Sequence, residues 1–224
     1  MKEYLSKNPY PGRGIVLGKA GGKAVIAYFI MGRSENSRNR VFVEDAEGVR
    51  TKAFDESKMQ DPSLIIYYPY RRVGDTHIIT NGDQTDTIYT YLKDGKSMTE
   101  ALRTRTYEPD GPNFTPRISG IIEGDRAILS ILKKDGEGTN RNFFEYELQE
   151  GQCRIIHTYQ ENREPLPSFE GEPRLFAISG TAEEIAAEIW ASLNEENKVS
   201  LLVKTIAGDG TVETKIINKN GGAA

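Results

Sequence analysis

Ala24-Val25-Ile26-Ala27-Tyr28-Phe29-Ile30-Met31 runs straight into Gly32-Arg33-Ser34-Glu35-Asn36-Ser37-Arg38-Asn39-Arg40. The first stretch has the length and the β-branched and aromatic content of a strand buried on both faces. A strand of that kind needs a packed layer on each side, so it belongs in the middle of a layered protein. Its abrupt polar end leaves Arg33 on a rigid platform. A guanidinium so placed suits bidentate contact with a phosphate or carboxylate. A solvated loop whose arginines serve solubility is the competing reading.

Further strands lie on either side. Gly14-Ile15-Val16-Leu17-Gly18 and the Gly21-Gly22 turn make a hairpin with the quoted run. Residues 41–44, 49–53, 64–68 and 76–80 read as strands separated by turn-rich segments. A helix begins after Asn81-Gly82 and stops at Gly95, a natural C′ residue. Ser97-Met98-Thr99-Glu100 fits a capping box opening a second helix. Residues 107–116, with three prolines, form an ordered loop. Strands return at 118–122, 126–132, 142–148 and 153–159. A third helix spans 181–194, with Ile185, Ile189, Trp190 and Leu193 on one face. Residues 199–207 and 211–218 close the chain as a hairpin. Blocks of strands with grouped helices indicate an α+β fold, with two antiparallel sheets flanked by helices. One domain over 1–224 is expected, with 1–9 a polar leader and 219–224 a frayed tail.

Composition narrows the function. Among 224 residues, a formal charge of −4 argues against broad nucleic-acid binding, though a single phosphate needs only two or three well-placed cations. Residues 1–7 lack the apolar core of a signal peptide, and no apolar stretch is long enough to cross a bilayer. A cytoplasmic protein without a membrane partner is expected. Cys153 is the only cysteine, so no internal disulfide can form, and with only His77 and His157 besides, no dedicated transition-metal site is expected. Both histidines and Cys153 read as packed or surface residues.

Several clusters have polar chemistry. Tyr10-Pro11-Gly12-Arg13-Gly14 sets an arginine between glycines, either for close approach of a ligand or as a simple turn. Tyr67-Tyr68-Pro69-Tyr70-Arg71-Arg72 offers phenols and cations together for a flat charged heterocycle, or edge tyrosines packing arginine stems. Asn81-Gly82-Asp83-Gln84-Thr85-Asp86 either binds an anion at a helix start or caps the helix. Glu108 and Asp110 on the proline-rich loop, with Arg117 at its far end, are proton-transfer candidates or ordinary turn formers.

Taken in order, Pro11-Gly12-Arg13, Gly32-Arg33-Ser34 with Asn39-Arg40, Tyr67 with Arg71, Thr80-Asn81-Gly82 with Thr85-Asp86, Tyr107-Glu108 with Asp110, and Thr115-Pro116-Arg117-Ile118 resemble the archaeal-type inosine monophosphate (IMP) cyclohydrolase family. The motifs span residues 10–120, and the strand pattern continues compatibly to about residue 173. Pro69-Tyr70, Gly111-Pro112 and the C-terminal helix and hairpin depart from the family pattern.

The resemblance implies a four-layer αββα sandwich similar to N-terminal nucleophile hydrolases. No self-processing nucleophile is expected, because position 2 is Lys2 and Ser6 lies in the leader. It implies closure of 5-formamidoimidazole-4-carboxamide ribonucleotide to IMP with loss of water, without metal or other cofactor. Arg33, assisted by Arg13 or Arg71, is expected to hold the phosphate or polarise the formyl group, Tyr67 to donate to the formyl oxygen, and Glu108 to accept the carboxamide proton, with Asp110 as second choice. Ser34, Asn81, Gly82, Thr85 and Asp86 are expected to contact substrate, and Arg117 to orient the acid. Arg38 and Arg40 are expected in structural or surface roles. The partner is a small purine-precursor nucleotide, and a homo-oligomer is left open. An amide hydrolase sharing the sandwich, or a non-catalytic purine-nucleotide binder, are the alternatives.

Overall fold

The computed structural model describes residues 1–59, 62 and 64–221. Two antiparallel sheets face each other. The first runs in the order β11 (Arg174–Ala177), β10 (Gln152–His157), β1 (Arg13–Ala20), β2 (Lys23–Met31), β12 (Lys198–Ile206) and β13 (Val212–Asn218). The second is in chain order from β3 (Arg40–Asp45) through β4 (Gly48–Ala53), β5 (Tyr70–Val73), β6 (Thr76–Thr80), β7 (Arg117–Glu123) and β8 (Arg126–Asp135) to β9 (Gly138–Glu147).

The alternation along β2 explains the layering. Ile26, Tyr28 and Ile30 point between the sheets, where they meet Phe42, Val49, Ile79, Ile118 and Leu129 of the second sheet. Val25, Ala27, Phe29 and Met31 point the other way, under α5 (Ala182–Ser192). Ile185, Ala186 and Ile189 of that helix close this outer core, and each fully buried isoleucine contributes about 1.5–3 kcal/mol. On the far side, α3 (Gln84–Lys93) and α4 (Met98–Arg103) cover Ile78, Ile121 and Ile128 through Ile88, Met98 and Leu102. The result is an α+β sandwich layered helix, sheet, sheet, helix. β12 pairs with β2, so the last strands of the chain complete the sheet that the first strands begin.

Helix ends follow the cap signals. The Ser97 hydroxyl accepts from the Glu100 amide and the Glu100 carboxylate accepts from the Ser97 amide; Thr181 and Glu184 repeat the arrangement at α5.

Three expectations are corrected. Residues 1–9 are not a detached leader: α1 (Lys2–Lys7) buries Leu5 in the outer core, and the Tyr4 hydroxyl lies 2.5 Å from His157 Nε2. Residues 64–68 form no strand, because the Pro62 carbonyl takes the amides of Ile65 and Ile66, and the Thr51 hydroxyl takes the Tyr67 amide at 2.9 Å and donates to the Ile65 carbonyl at 2.6 Å. The tail is not frayed where described: the Lys219 amide donates to the Val199 carbonyl at 2.9 Å and Asn220 Nδ2 to the Arg38 carbonyl, while 222–224 lie outside the described residues. Among the described residues no helix is long and apolar enough to cross a membrane.

Candidate active site

One end of the sandwich collects the start of β1, the end of β2, the start of β3 and the end of β10. A cleft of about 240 Å³ opens there, lined among others by Tyr10, Arg13, Arg33, Ser34, Arg40, Asp110 and Tyr159. Arg13 enters from β1 because Gly12 adopts φ +78°, and a Cβ on Gly12 would lie 2.2 Å from Thr158 Oγ1.

Glu108 is buried beside Arg13. It is 1% exposed, and its Oε2 is 3.9 Å from Arg13 Nη2. Burial pushes its carboxyl up to about 7; Arg13 and Arg117 oppose that rise and Asp110 adds to it. A carboxyl balanced there can accept or release a proton near neutral pH. Asn81 holds it in place: Oδ1 accepts from the Ile118 amide and from Gln84 Nε2, both at 2.9 Å, and Nδ2 donates to the Pro116 carbonyl at 2.9 Å and reaches Glu108 Oε1 at 3.4 Å. Gly82 leaves room for this packing, since a Cβ would sit 2.7 Å from both Arg117 Nη1 and Gln84 Oε1. Arg117 donates to Gln84 Oε1 and pairs with Asp83 Oδ1, each at 2.7 Å. Asp110 is engaged by the amide of Thr115 at 2.6 Å and by its hydroxyl, which also meets the Tyr159 hydroxyl.

Arg40 was expected in a structural or surface role; it is 0% exposed, so the surface role is excluded. Its Nε donates to the Ser37 carbonyl at 2.8 Å, while both terminal nitrogens find no partner among the described residues. Burial, and then the charge of Arg13, push its pKa down, with Tyr67 and Tyr28 acting in the other direction. A buried cation with unspent donors costs stability and is retained where a ligand supplies the missing acceptors. Arg33 is at the rim, with its side chain 33% exposed, donating to Asn162 Oδ1 and pairing with Glu164, each at 3.2 Å, and lying 5.0 Å from the Tyr10 ring centroid. Ser34 caps the short helix α2 (Glu35–Arg38) beside it.

Tyr67 is buried, and its hydroxyl lies 2.8 Å from that of Tyr28. Arg13 and Arg40 both lie close enough to lower the Tyr28 pKa, although burial keeps it well above the usual phenol range.

Arg71, Thr85 and Asp86 do not join this group. The terminal nitrogens of Arg71 pair with Asp86 at 2.8 Å and Glu47 at 2.9 Å and its guanidinium lies on the Tyr89 ring, 3.6 Å from its centroid, while its buried Nε has no partner among the described residues. The Thr85 hydroxyl meets that of Thr80 and donates to the Gly82 carbonyl at 3.1 Å, which fastens the turn from β6 into α3.

A near-neutral acid beside Arg13, near a buried Arg40 with unspent donors, suits a small anionic substrate and a proton transfer, so the site is that of a small-molecule enzyme. A family model described as IMP cyclohydrolase-like protein matches residues 10–210, and the chain belongs to that family. The match reaches through β12, so the C-terminal helix and the strand after it, expected to stand outside the family pattern, lie within it. The protein is 33% identical over 186 residues to an IMP cyclohydrolase of Methanopyrus kandleri, covering 72% of this chain and 89% of the relative. Another from Methanothrix thermoacetophila is 29% identical over 166 residues, covering 72% and 80%. One from Methanococcus aeolicus is 28% identical over 206 residues, covering 89% and 97%.

Proposed function

We propose that the protein closes 5-formamidoimidazole-4-carboxamide ribonucleotide to IMP with release of water. The observation that supports this most is Glu108, buried with a carboxyl near neutrality and 3.9 Å from Arg13, which lines the cleft.

The carboxamide nitrogen attacks the formyl carbon. Ionised Glu108 takes a proton from that nitrogen, while Tyr67, Arg13 and Arg40 stabilise the negative charge growing on the formyl oxygen. The tetrahedral carbon then loses its hydroxyl, and the former formamide nitrogen loses its proton as the ring double bond forms. The departing water therefore carries one hydrogen from each nitrogen. Holding the two reacting groups in contact removes much of the entropic barrier. Arg33 and Ser34 at the rim hold the phosphate, and Asn81, Gly82 and Arg117 set the position of the acid. Asp110 orders the loop through Thr115.

The αββα layering supports an architecture of the N-terminal nucleophile hydrolase type, and the assigned chemistry needs no terminal nucleophile. A nucleotide substrate accords with a cytoplasmic location. Mixing the purified protein with the formylated ribonucleotide and following IMP absorbance tests the reading. Formation of IMP no faster than the spontaneous rate removes it, and titration with IMP then separates a nucleotide binder from an unrelated protein.

A further inference from the structure

Tyr28 sits inside the apolar strand β2, fully buried, with its ring 5.7 Å from that of Phe42 in the inter-sheet core. Its only hydrogen-bond partner among the described residues is the Tyr67 hydroxyl at 2.8 Å. Two phenols that share one hydrogen bond hold two protons, one between the oxygens and one free to point outward. If Tyr67 donated inward, the Tyr28 proton would be left without an acceptor among the described residues. If Tyr28 donates to Tyr67, that pairing is satisfied and the Tyr67 proton is free for the side of Arg13 and Arg40.

We propose that Tyr28 is a positioning residue that donates its proton to Tyr67 and thereby turns the Tyr67 hydroxyl proton toward the reacting oxygen of the substrate. It touches no substrate and acts through one atom. As the Tyr67 proton shifts toward the substrate oxygen, negative charge accumulates on the Tyr67 oxygen, and the hydrogen bond from Tyr28 strengthens in response. The gain is therefore larger in the transition state than in the ground state, which places it in kcat rather than KM. The role in turnover rests on the cyclohydrolase reading; the direction of the hydrogen bond does not.

Tyr28→Phe removes one oxygen and leaves the ring packing in place. The expected result is a fall in kcat of about tenfold with KM within about twofold. In a Tyr67→Phe background the same change is expected to alter kcat by less than about twofold, because the atom it acts through is gone. Equal factors in both backgrounds would mean that Tyr28 only supports the fold, and would overturn the proposal. A second readout is independent of turnover. In protein labelled at the tyrosine Cζ, the Tyr67 resonance, identified by its loss in Tyr67→Phe, is expected to move in Tyr28→Phe, and an unmoved resonance would overturn the pairing. If the unaltered protein forms no IMP, the functional reading fails while this resonance still decides the pairing.

Discussion

Arg13 and Glu108 face each other across 3.9 Å with side chains only 11% and 2% exposed, so a full charge on either is felt by the other with little screening. Their partnership is loose for an ion pair. It leaves the Glu108 carboxyl near 7 instead of pulling it into the usual carboxylate range.

Replacing Glu108 by Gln keeps the shape and removes the base. We expect kcat to fall by about 10²–10⁴-fold, measured by IMP formation at saturating substrate. In the unaltered enzyme kcat/KM should decline as pH drops below about 7, following the loss of the ionised carboxylate. Stability carries an independent signature. Between the ordinary value of 4.5 and about 7 the folded protein keeps a proton that the unfolded chain has lost, so Glu108 makes the fold less stable as pH rises through that window. Because His77 and His157, both lowered to about 4 by burial, add stability as pH rises toward 6.5, the Glu108 contribution is read as a difference: in urea unfolding at pH 5 and pH 8 the unaltered protein should lose stability relative to Glu108→Gln.

Arg40→Met exchanges a buried, unsatisfied cation for an apolar side chain of similar length. Stability should stay equal or rise by about 1–4 kcal/mol, while kcat/KM falls by about 10²-fold. A variant that loses stability and keeps its activity would show Arg40 to be a strut. Thermal unfolding and kinetics on one preparation decide the matter.

Arg33 is assigned to phosphate, so its loss should matter only for ligands that carry one. Arg33→Ala should weaken IMP by about 10–100-fold, the worth of a charge-assisted hydrogen bond, and leave inosine unchanged. Calorimetric titration with both ligands checks this.

The terminal nitrogens of Arg71 are held by Asp86 and Glu47, and its guanidinium lies on the Tyr89 ring. Arg71→Ala should therefore leave kcat and KM within about twofold and cost stability alone. A large rise in KM would bring Arg71 to the substrate.

Leu5 anchors α1 at 1% exposure. Leu5→Ala should cost about 2–5 kcal/mol in urea unfolding, whereas a detached leader would register almost nothing.

The architecture was legible where one physical rule acted alone. The length and the unbroken apolar, β-branched and aromatic content of residues 24–31 announced a two-faced strand, and Ser97/Glu100 announced a helix start before any packing was considered. Residues 64–68 misled because an apolar run does not reveal that the Thr51 hydroxyl and the Pro62 carbonyl have taken its backbone groups. The helix α1 has six residues and one deeply buried side chain, too little periodicity to read. Within the cleft, Arg13, Arg33, Ser34 and Asp110 were found through their neighbours in sequence. Arg40 was not, because residue type cannot distinguish a solvated arginine from one that is buried with unspent donors. Arg71 was drawn toward the substrate for the opposite reason: its partners Glu47 and Asp86 are distant in sequence, and nothing in its own segment shows that its terminal nitrogens are already paired.

The two halves of the cleft belong to different sheets. Arg13 and Tyr28 stand on the first, Arg40 and Arg117 on the second, and the apolar filling between the sheets, with cross-sheet hydrogen bonds such as those between Asn218 and Phe42, sets their separation. Ile26, Ile30, Leu129 and Leu202 thus act as a spacer gauge for chemistry that none of them touches. Trimming that gauge by a methyl group would let the sheets settle toward each other and change the gap between acid and cations, detuning the enzyme at temperatures where it is still folded.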